Sequence, residues 1–511
     1  MILIRTNLNI SVGLGHYKRM LRLARELQKF GKKIVFLLDK PNYEFESLEF
    51  QHFYLYEKSN YLGEVPDAIK TIQFAILTKV TKIIVDDYRF GYKWEKKVKT
   101  RNVKLIVFDD DINKKHECDL YVNFKLLSPK ELTKININLK NKKKLIGPKY
   151  SILNKSLKKN KIFSKDFNIT FYAGGGGDPK IFYEIIKSLC ITRNIKVKIN
   201  LIISMNKNYL SKYFFLKKKY KNFNIINKDK YIKIMSKTNL YIGCQGNAIY
   251  ENSYLKKLSI FFPIADNQLN DTSKLNTLGH YFSVKRENLS ENQKILKLIN
   301  NIYENYKRLL KESFDQIDQV DGLGALRIAK NIIGKELKIK KKYSKSLDKQ
   351  FRIKKINLKD MHQYLIARNL KTNRSKMLNS RKIDLIDHYN WWLSDEFKSR
   401  ETFKVSSEEK TLMFIWHKII KINNSKYYIG GWFINSSLCK ISDIVIALKW
   451  QLKFTKNKNI KWIAVINKKN KAVQKLNQLL GFKKEFNSNR DFLNAKSFFK
   501  ANLKNFNYFI N

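Results

Sequence analysis

Ile2-Leu3-Ile4-Arg5, followed by Ser11-Val12-Gly13-Leu14-Gly15-His16-Tyr17-Lys18-Arg19, reads as an apolar strand, a glycine turn and the start of an amphipathic helix. The helical pattern runs to Gly31, and a second apolar stretch, Lys33 to Leu38, ends at Asp39. Strand, helix and strand in that order are the unit of a parallel α/β sheet. Glycines ahead of a helix let backbone amides approach a ligand, and the helix N-terminus favours negative charge there. Open α/β sheets bind ligands at the carboxyl ends of their strands, which is where His16 falls. Histidine is the side chain best suited to move a proton near neutral pH. The same residues also suit a plain turn in which His16 only caps the helix. The dinucleotide fingerprint needs a further glycine where this chain has Lys18, so a nicotinamide cofactor is not expected.

Working outward, the alternation continues. Lys82 to Val85 and Val103 to Phe108 are buried-type strands, which makes residues 1–145 a Rossmann-like half. Residues 146–166, opening with Gly147-Pro148, read as a linker. A second alternating block starts at Asn168-Ile169-Thr170-Phe171-Tyr172 and continues through the strands Val197 to Ile203, Leu240 to Ile242 and Leu258 to Phe262. Residues 289–338 read as helical and close a second half spanning 146–338. The lysine-rich run Lys338 to Lys349 reads as a solvated tether. Residues 350–511 have a different rhythm: a short strand at 351–354, helices near 358–369 and 383–396, and strands near 411–421 and 426–434. Helix 440–454, strand 460–466 and helix 469–480 complete a separate α+β domain.

A chain of 511 residues has room for about three domains. The formal net charge of +58 is spread over nearly every element alongside an excess of Ile and Asn. Those residues share AT-rich codons with Lys, so genome composition explains most of the charge and no specific nucleic-acid partner is expected. The remaining field favours anionic substrates. Cys118, Cys190, Cys244 and Cys439 form no CxxC pair. No apolar run is long enough to span a bilayer, and no signal-peptide pattern opens the chain, so a cytoplasmic protein is expected. The sequence is silent on oligomeric state.

Further glycine turns follow the strands of the second half. Ala173-Gly174-Gly175-Gly176-Gly177-Asp178-Pro179 suits a phosphate-cradling nest. Gly243-Cys244-Gln245-Gly246-Asn247 leads into a helix carrying Glu251, and Asp266-Asn267-Gln268 opens another. Helix N-termini with a carboxylate one turn inside suit a nucleoside diphosphate, the amides for phosphate and Glu251 for ribose hydroxyls. Asp86-Asp87-Tyr88 and Asp109-Asp110-Asp111 follow strands of the first half. Asp109 and Asp111 form a DxD, read as strand-end caps rather than as a metal site, so no metal is expected.

In order, Gly13-x-Gly15-His16-x-x-Arg19, Val85-Asp86-Asp87-Tyr88, Trp94-Glu95, Asp109-Asp110, Cys118-Asp119-Leu120, Asn123, Gly147-Pro148-x-Tyr150, the Gly-Gly-Asp-Pro turn, Gly246 to Glu251 and Asn267-Gln268 resemble one family. It is the UDP-sugar hydrolase of pseudaminic acid biosynthesis, related to glycosyltransferases of the GT-B fold. The resemblance spans about residues 1 to 285. It implies an α/β protein of two Rossmann-like halves of GT-B type and a cofactor-free hydrolase releasing UDP from a 2,4-diacetamido-2,4,6-trideoxyhexose. His16 and Asn267 would be catalytic. Gly13, Gly15, Arg19, Asp86, Tyr88, Gly174, Gly175, Gly176, Asp178, Gly246, Asn247, Glu251 and Gln268 would contact the UDP-sugar. A GT-B glycosyltransferase with a UDP-sugar donor is the alternative. Arg5-Thr6-Asn7 stands where many members have Arg-x-Asp, and Gly91 where many have Asp. The third domain resembles GNAT acyltransferases, through Ala367-Arg368-Asn369, Asn373-Arg374, Trp391-Trp392 and the stretch from Ala464 to Phe482. That resemblance implies acetyl-CoA as a possible cofactor near Asn467 and Asn470. The stretch Asn435 to Ser442 lacks the glycines of a pyrophosphate turn, so weak acyl-CoA binding is expected.

Overall fold

The computed structural model describes residues 1–8, 15–40, 49–56, 61–99, 102–157, 166–174, 177–192, 196–203, 211–264, 272–315, 319–335, 351–408, 410–456, 460–485, 490–500 and 504–511. Among these the strands form three sheets. The first joins β1 (Ile2–Thr6), β2 (Ile34–Leu38), β3 (His52–Tyr54), β4 (Lys82–Asp86), β5 (Lys104–Phe108), β6 (Leu120–Asn123) and β7 (Lys143–Ile146). Their order is β3-β2-β1-β4-β5-β6-β7, with every pairing parallel. The core strands are continuous apolar runs because helices cover both faces. One face packs under helices Gly15–Gln28 and Gly324–Ile333, through Met20, Leu23, Leu27, Ile328 and Ile332. Helices Glu64–Leu77, Tyr92–Val98 and Pro129–Asn138 cover the other, with Ala68, Trp94 and Ile135 buried.

The second sheet joins β8 (Phe167–Tyr172), β9 (Val197–Ile203), β10 (Phe223–Asn227), β11 (Leu240–Cys244), β12 (Leu258–Phe262) and β13 (Phe282–Ser283). The order is β10-β9-β8-β11-β12-β13, again parallel throughout. In both sheets the strand order reverses beside the first strand, at β1/β4 and at β8/β11. These are the topological switch points where ligands of such sheets bind.

Residues Met1–Ser290 and Ser313–Lys340 form one compact unit, and Glu291–Glu312 with Lys341–Asn511 form another. The expected linker at 146–166 is packed where it is described. Tyr150, Ser151, Ile152, Leu153 and Leu157 are buried. A Cβ on Gly324 would lie 2.1 Å from the Ser151 carbonyl oxygen, so the last helix of this unit approaches the segment as only glycine allows. The tether at Lys338 to Lys349 lies outside the described residues.

In the C-terminal unit the third sheet joins β14 (Arg352–Lys355), β15 (Glu401–Ser407), β16 (Lys410–Ile422), β17 (Ser425–Ile434), β18 (Lys461–Asn467), β19 (Lys483–Lys484) and β20 (Phe506–Ile510). The order is β14-β15-β16-β17-β18-β20-β19, antiparallel except for β17 with β18. That parallel register covers Tyr427↔Lys461 to Ile429↔Ile463. The α+β order matches expectation, with β15, β19, β20 and helix Arg490–Phe499 added. Neither β15 nor β20 reads as a strand alone, since β15 is polar at both ends and β20 depends on β18 and β19 for partners. No described helix is long and apolar enough to cross a membrane.

Candidate active site

Helix Gly15–Gln28 begins beyond the carboxyl end of β1, and β4 ends at Asp86. The β1/β4 switch point therefore brings His16, Arg19 and Asp86 together. His16 Nδ1 lies 2.7 Å from Asp86 Oδ1. Arg19 donates to both Asp86 oxygens through Nε and Nη2. Thr6 Oγ1 donates to the Asp86 carbonyl at 2.9 Å and ties the two strand ends together. The Asp86 side chain is fully buried. Burial alone would raise its carboxyl, but the Arg19 guanidinium and the His16 bond outweigh that and pull it from 3.8 down to about 2. Asp86 is thus a carboxylate, and His16 Nδ1–H is its donor. Arg19 Nη2 lies 3.0 Å from His16 Nδ1, and the two share Asp86 as acceptor. With its proton on Nδ1, the imidazole carries its lone pair on Nε2.

Tyr88 stands edge-on to His16, ring centroids 4.6 Å apart. Burial raises its hydroxyl first, and Asp110, to which it is hydrogen-bonded, adds to the effect. Arg19 also lies over the Phe124 ring at 5.4 Å, and Phe124 meets Tyr250 of the second half at 5.7 Å. Gly15 is exposed, and a Cβ there would have nothing within 4 Å. Gly13 lies outside the described residues.

On the second half, the turns after β8 and β11 sit side by side. Gly174 has φ +82°, and a Cβ on it would lie 2.7 Å from Cys244 Sγ. A Cβ on Gly243 would lie 2.3 Å from the Tyr172 carbonyl oxygen. Glycine is needed at both places, in the turn after β8 because the end of β11 presses on it and in β11 because β8 does. Asp178 accepts the Lys180 amide at 2.9 Å and so caps the turn Pro179–Phe182. Asn247 is the exposed N-cap of helix Ala248–Leu255, with Gly246 just before it, and its side chain makes no cap bond. Glu251, in the first turn, accepts from Tyr231 Oη at 2.6 Å. Burial raises its carboxyl, while Tyr231 and Arg22 of the first half act against that. Gly175, Gly176, Asn267 and Gln268 lie outside the described residues.

Tyr231, Phe124 and Arg22 escaped the sequence reading. Arg22 carried a signal, since His16, Arg19 and Arg22 recur at helical spacing on one face. Tyr231 and Phe124 carried none, because their partners are distant in sequence.

The DxD carboxylates are used locally. Asp109 accepts the Asp111 amide at 2.8 Å and pairs with Lys114 at 3.0 Å, and Asp111 accepts the Asn113 amide at 2.9 Å. Among the described residues no group of three or more His, Cys, Asp or Glu could hold a metal ion. Arg5, two residues before the Asn7 at which the family pattern departs, is fully buried and paired with Asp39 and Asp67, each at 2.6 Å. In the C-terminal unit Asn470 lines a cavity and is the N-cap of helix Lys471–Leu479, while Asn467 accepts the Lys469 amide at 2.9 Å.

No protein-family model matches the chain, and comparison with curated proteins finds no match. Among solved structures it is similar to MurG of Acinetobacter baumannii, at 11% identity over 65% of this chain and 99% of that one, with a TM-score of 0.46. A similar likeness, 11% identity over 65% of this chain and 100% of the other with a TM-score of 0.44, relates it to UDP-GlcNAc 2-epimerase from Neisseria meningitidis bound to UDP-GlcNAc. RimL, the ribosomal L7/L12 alpha-N-protein acetyltransferase in complex with coenzyme A, is 8% identical over 32% of this chain and 96% of that one, with a TM-score of 0.26.

Proposed function

We propose that the N-terminal unit is a nucleotide-sugar hydrolase that releases UDP from a UDP-2,4-diacetamido-2,4,6-trideoxyhexose, within pseudaminic-type acid biosynthesis. The observation that carries the reading is the His16–Asp86 pair at the β1/β4 switch point, with two glycine turns at the β8/β11 switch point of the same unit. Asp86 holds the imidazole in the tautomer whose Nε2 accepts a proton. Water attacks the anomeric carbon, its oxygen forms the new bond to C1, and its proton passes to Nε2. The bond from C1 to the β-phosphate oxygen breaks, and UDP leaves with that electron pair. The amides of the turns at 174–178 and 246–248 stabilise the charge that grows on the diphosphate. Glu251, oriented by Tyr231, accepts from the ribose hydroxyls. Asn267 and Gln268 complete the sugar contacts on the family pattern.

The deciding experiment incubates the purified chain with the UDP-diacetamido sugars and follows UDP release without any added acceptor. Release is the expected result. Release only when a sugar acceptor is supplied would replace this reading with that of a transferase.

A further inference from the structure

The parallel pairing of β17 with β18 ends at Ile429↔Ile463, although both strands continue. Beyond that point a cavity of about 1120 Å³ opens in the C-terminal unit, lined on both sides by the continuing strands. A GNAT-like fold implies an acyl-CoA here, with its pyrophosphate on the amides ahead of helix Ile441–Phe454. The residues present do not fit that group. The Asn435 and Ser436 amides donate to the Leu412 carbonyl, at 2.7 and 3.2 Å. The Leu438 amide is taken by Ser436 Oγ and the Cys439 amide by the Ser436 carbonyl. Lys440 donates its amide to Asp443 Oδ2 at 2.8 Å, so a carboxylate occupies the helix N-terminus where a diphosphate would sit. These five amides are thus spent within the protein, and the helix is negatively capped.

The cavity wall is differently made. Arg368, Lys376, Arg400 and Lys418 line it, against the carboxylates of Asp387 and Glu396. Asp387 is already engaged by Lys294 at 3.2 Å. The Arg400 guanidinium lies 4.2 Å over Trp416 and 5.2 Å over Trp391. Its Nη2 reaches the half-exposed Glu396 at 2.7 Å, and its Nε is buried without a hydrogen-bond partner. Arg368 donates Nη2 to the Asn379 carbonyl at 2.6 Å and keeps a buried, unpartnered Nη1. Tyr364, fully packed, stacks on His388 and Trp391 beside them. A guanidinium held between indoles has its plane fixed and its edge donors presented in one direction. Arg400, so held, and Arg368, each with an unmet donor, in an aromatic cavity of excess positive charge, match an anion carried on a flat ring.

We infer that this cavity binds a planar ligand bearing a carboxylate or a phosphate, held by Arg400 and Arg368, and that it does not serve an acyl-CoA. Six of the chain's seven tryptophans lie between 391 and 462, and Trp391, Trp416, Trp432 and Trp462 line the cavity, so indole fluorescence reports on it. The test titrates the full chain with 4-nitrobenzoate, 4-nitrophenyl phosphate and neutral 4-nitrobenzamide. Saturable quenching by at least one anion, about tenfold or more tighter than by the amide, is expected, and the tighter anion identifies the headgroup. Arg400→Leu weakens that binding about tenfold or more and Arg400→Lys weakens it less, whereas His16→Ala leaves it unchanged. Arg368→Leu is the second variant, which decides the matter if Arg400→Leu loses its cooperative melt. Equal binding of the neutral amide would overturn the inference. So would anion binding that survives in every folded arginine variant, or displacement of the anion by low-micromolar acetyl-CoA.

Discussion

The chemistry proposed for this chain turns on one nitrogen. His16 Nδ1 is committed to Asp86, so Nε2 is the atom left to accept a proton, and general-base catalysis of this kind contributes about 100- to 10,000-fold. His16→Ala is therefore expected to lower UDP release by about 100-fold or more while leaving UDP affinity within about threefold. Turnover and calorimetry on the same preparation check both halves of that statement, and turnover within about threefold of wild type removes the base assignment. Asp86→Asn is the subtler variant. An amide fits the same space, but its nitrogen donates where the carboxylate accepted, which releases the Nδ1–H tautomer and leaves Arg19 without its counter-charge. Turnover is expected to fall about 100-fold with little change in KM. Since Asp86 titrates at about 2 against 3.8 for an ordinary carboxyl, it stays ionised at any pH above about 4. An acidic limb above that pH belongs to another group.

Among elements, the glycine turns divide into two kinds. Gly174 is held at φ +82° with Cys244 Sγ where a Cβ would go, so Gly174→Ala must move the turn after β8 against the end of β11. The cost is about 1–3 kcal/mol of stability, and UDP binding should weaken with it, read by thermal melting and by titration with UDP. Gly15, by contrast, has open space around it and no left-handed backbone requirement. Gly15→Ala is expected to melt within about 2 °C of wild type. A loss of turnover in that folded variant would mean that substrate itself approaches the Gly15 backbone. An unchanged turnover would leave Gly15 a turn residue only. The helices and central strands of the first two sheets were legible in sequence because buried parallel strands are unbroken apolar runs. Val197–Ile203 and Leu258–Phe262 appear with the bounds their composition suggests. Short edge pieces such as β3 and β19 were not, because two or three residues carry no periodicity and exist only through their neighbours.

For the molecule as a whole, two expectations concern what it requires. Activity should survive excess EDTA, because Asp109 and Asp111 are spent on turn amides and Lys114 rather than held open for a cation. Loss of UDP release on chelation, restored by magnesium or manganese, would return both carboxylates to the site as ligands. Acetyl-CoA is expected to bind the full chain with a dissociation constant above about 100 µM, weaker than about −5.5 kcal/mol. The reason is the loop at 435–440, whose Asn435, Ser436, Leu438, Cys439 and Lys440 amides are already engaged and whose helix is capped by Asp443. Calorimetry reads this directly, and low-micromolar binding with acetyl transfer would make both units enzymes.

Sequence by itself determined the alternation of strand and helix, the change of rhythm after residue 350, and the candidates His16, Asp86 and Glu251. These properties are local, written in hydrophobic period and in glycine placement. Tertiary structure alone decided which of them meet. Asp86 lies seventy residues from His16, and only the parallel pairing of β1 with β4 brings their ends to one switch point. The press of Gly174 on Cys244, the Tyr231 bond to Glu251, and Arg400 between Trp391 and Trp416 follow the same rule. Each depends on close approach between segments with no spacing in common, and packing, unlike periodicity, leaves no mark in the order of residues.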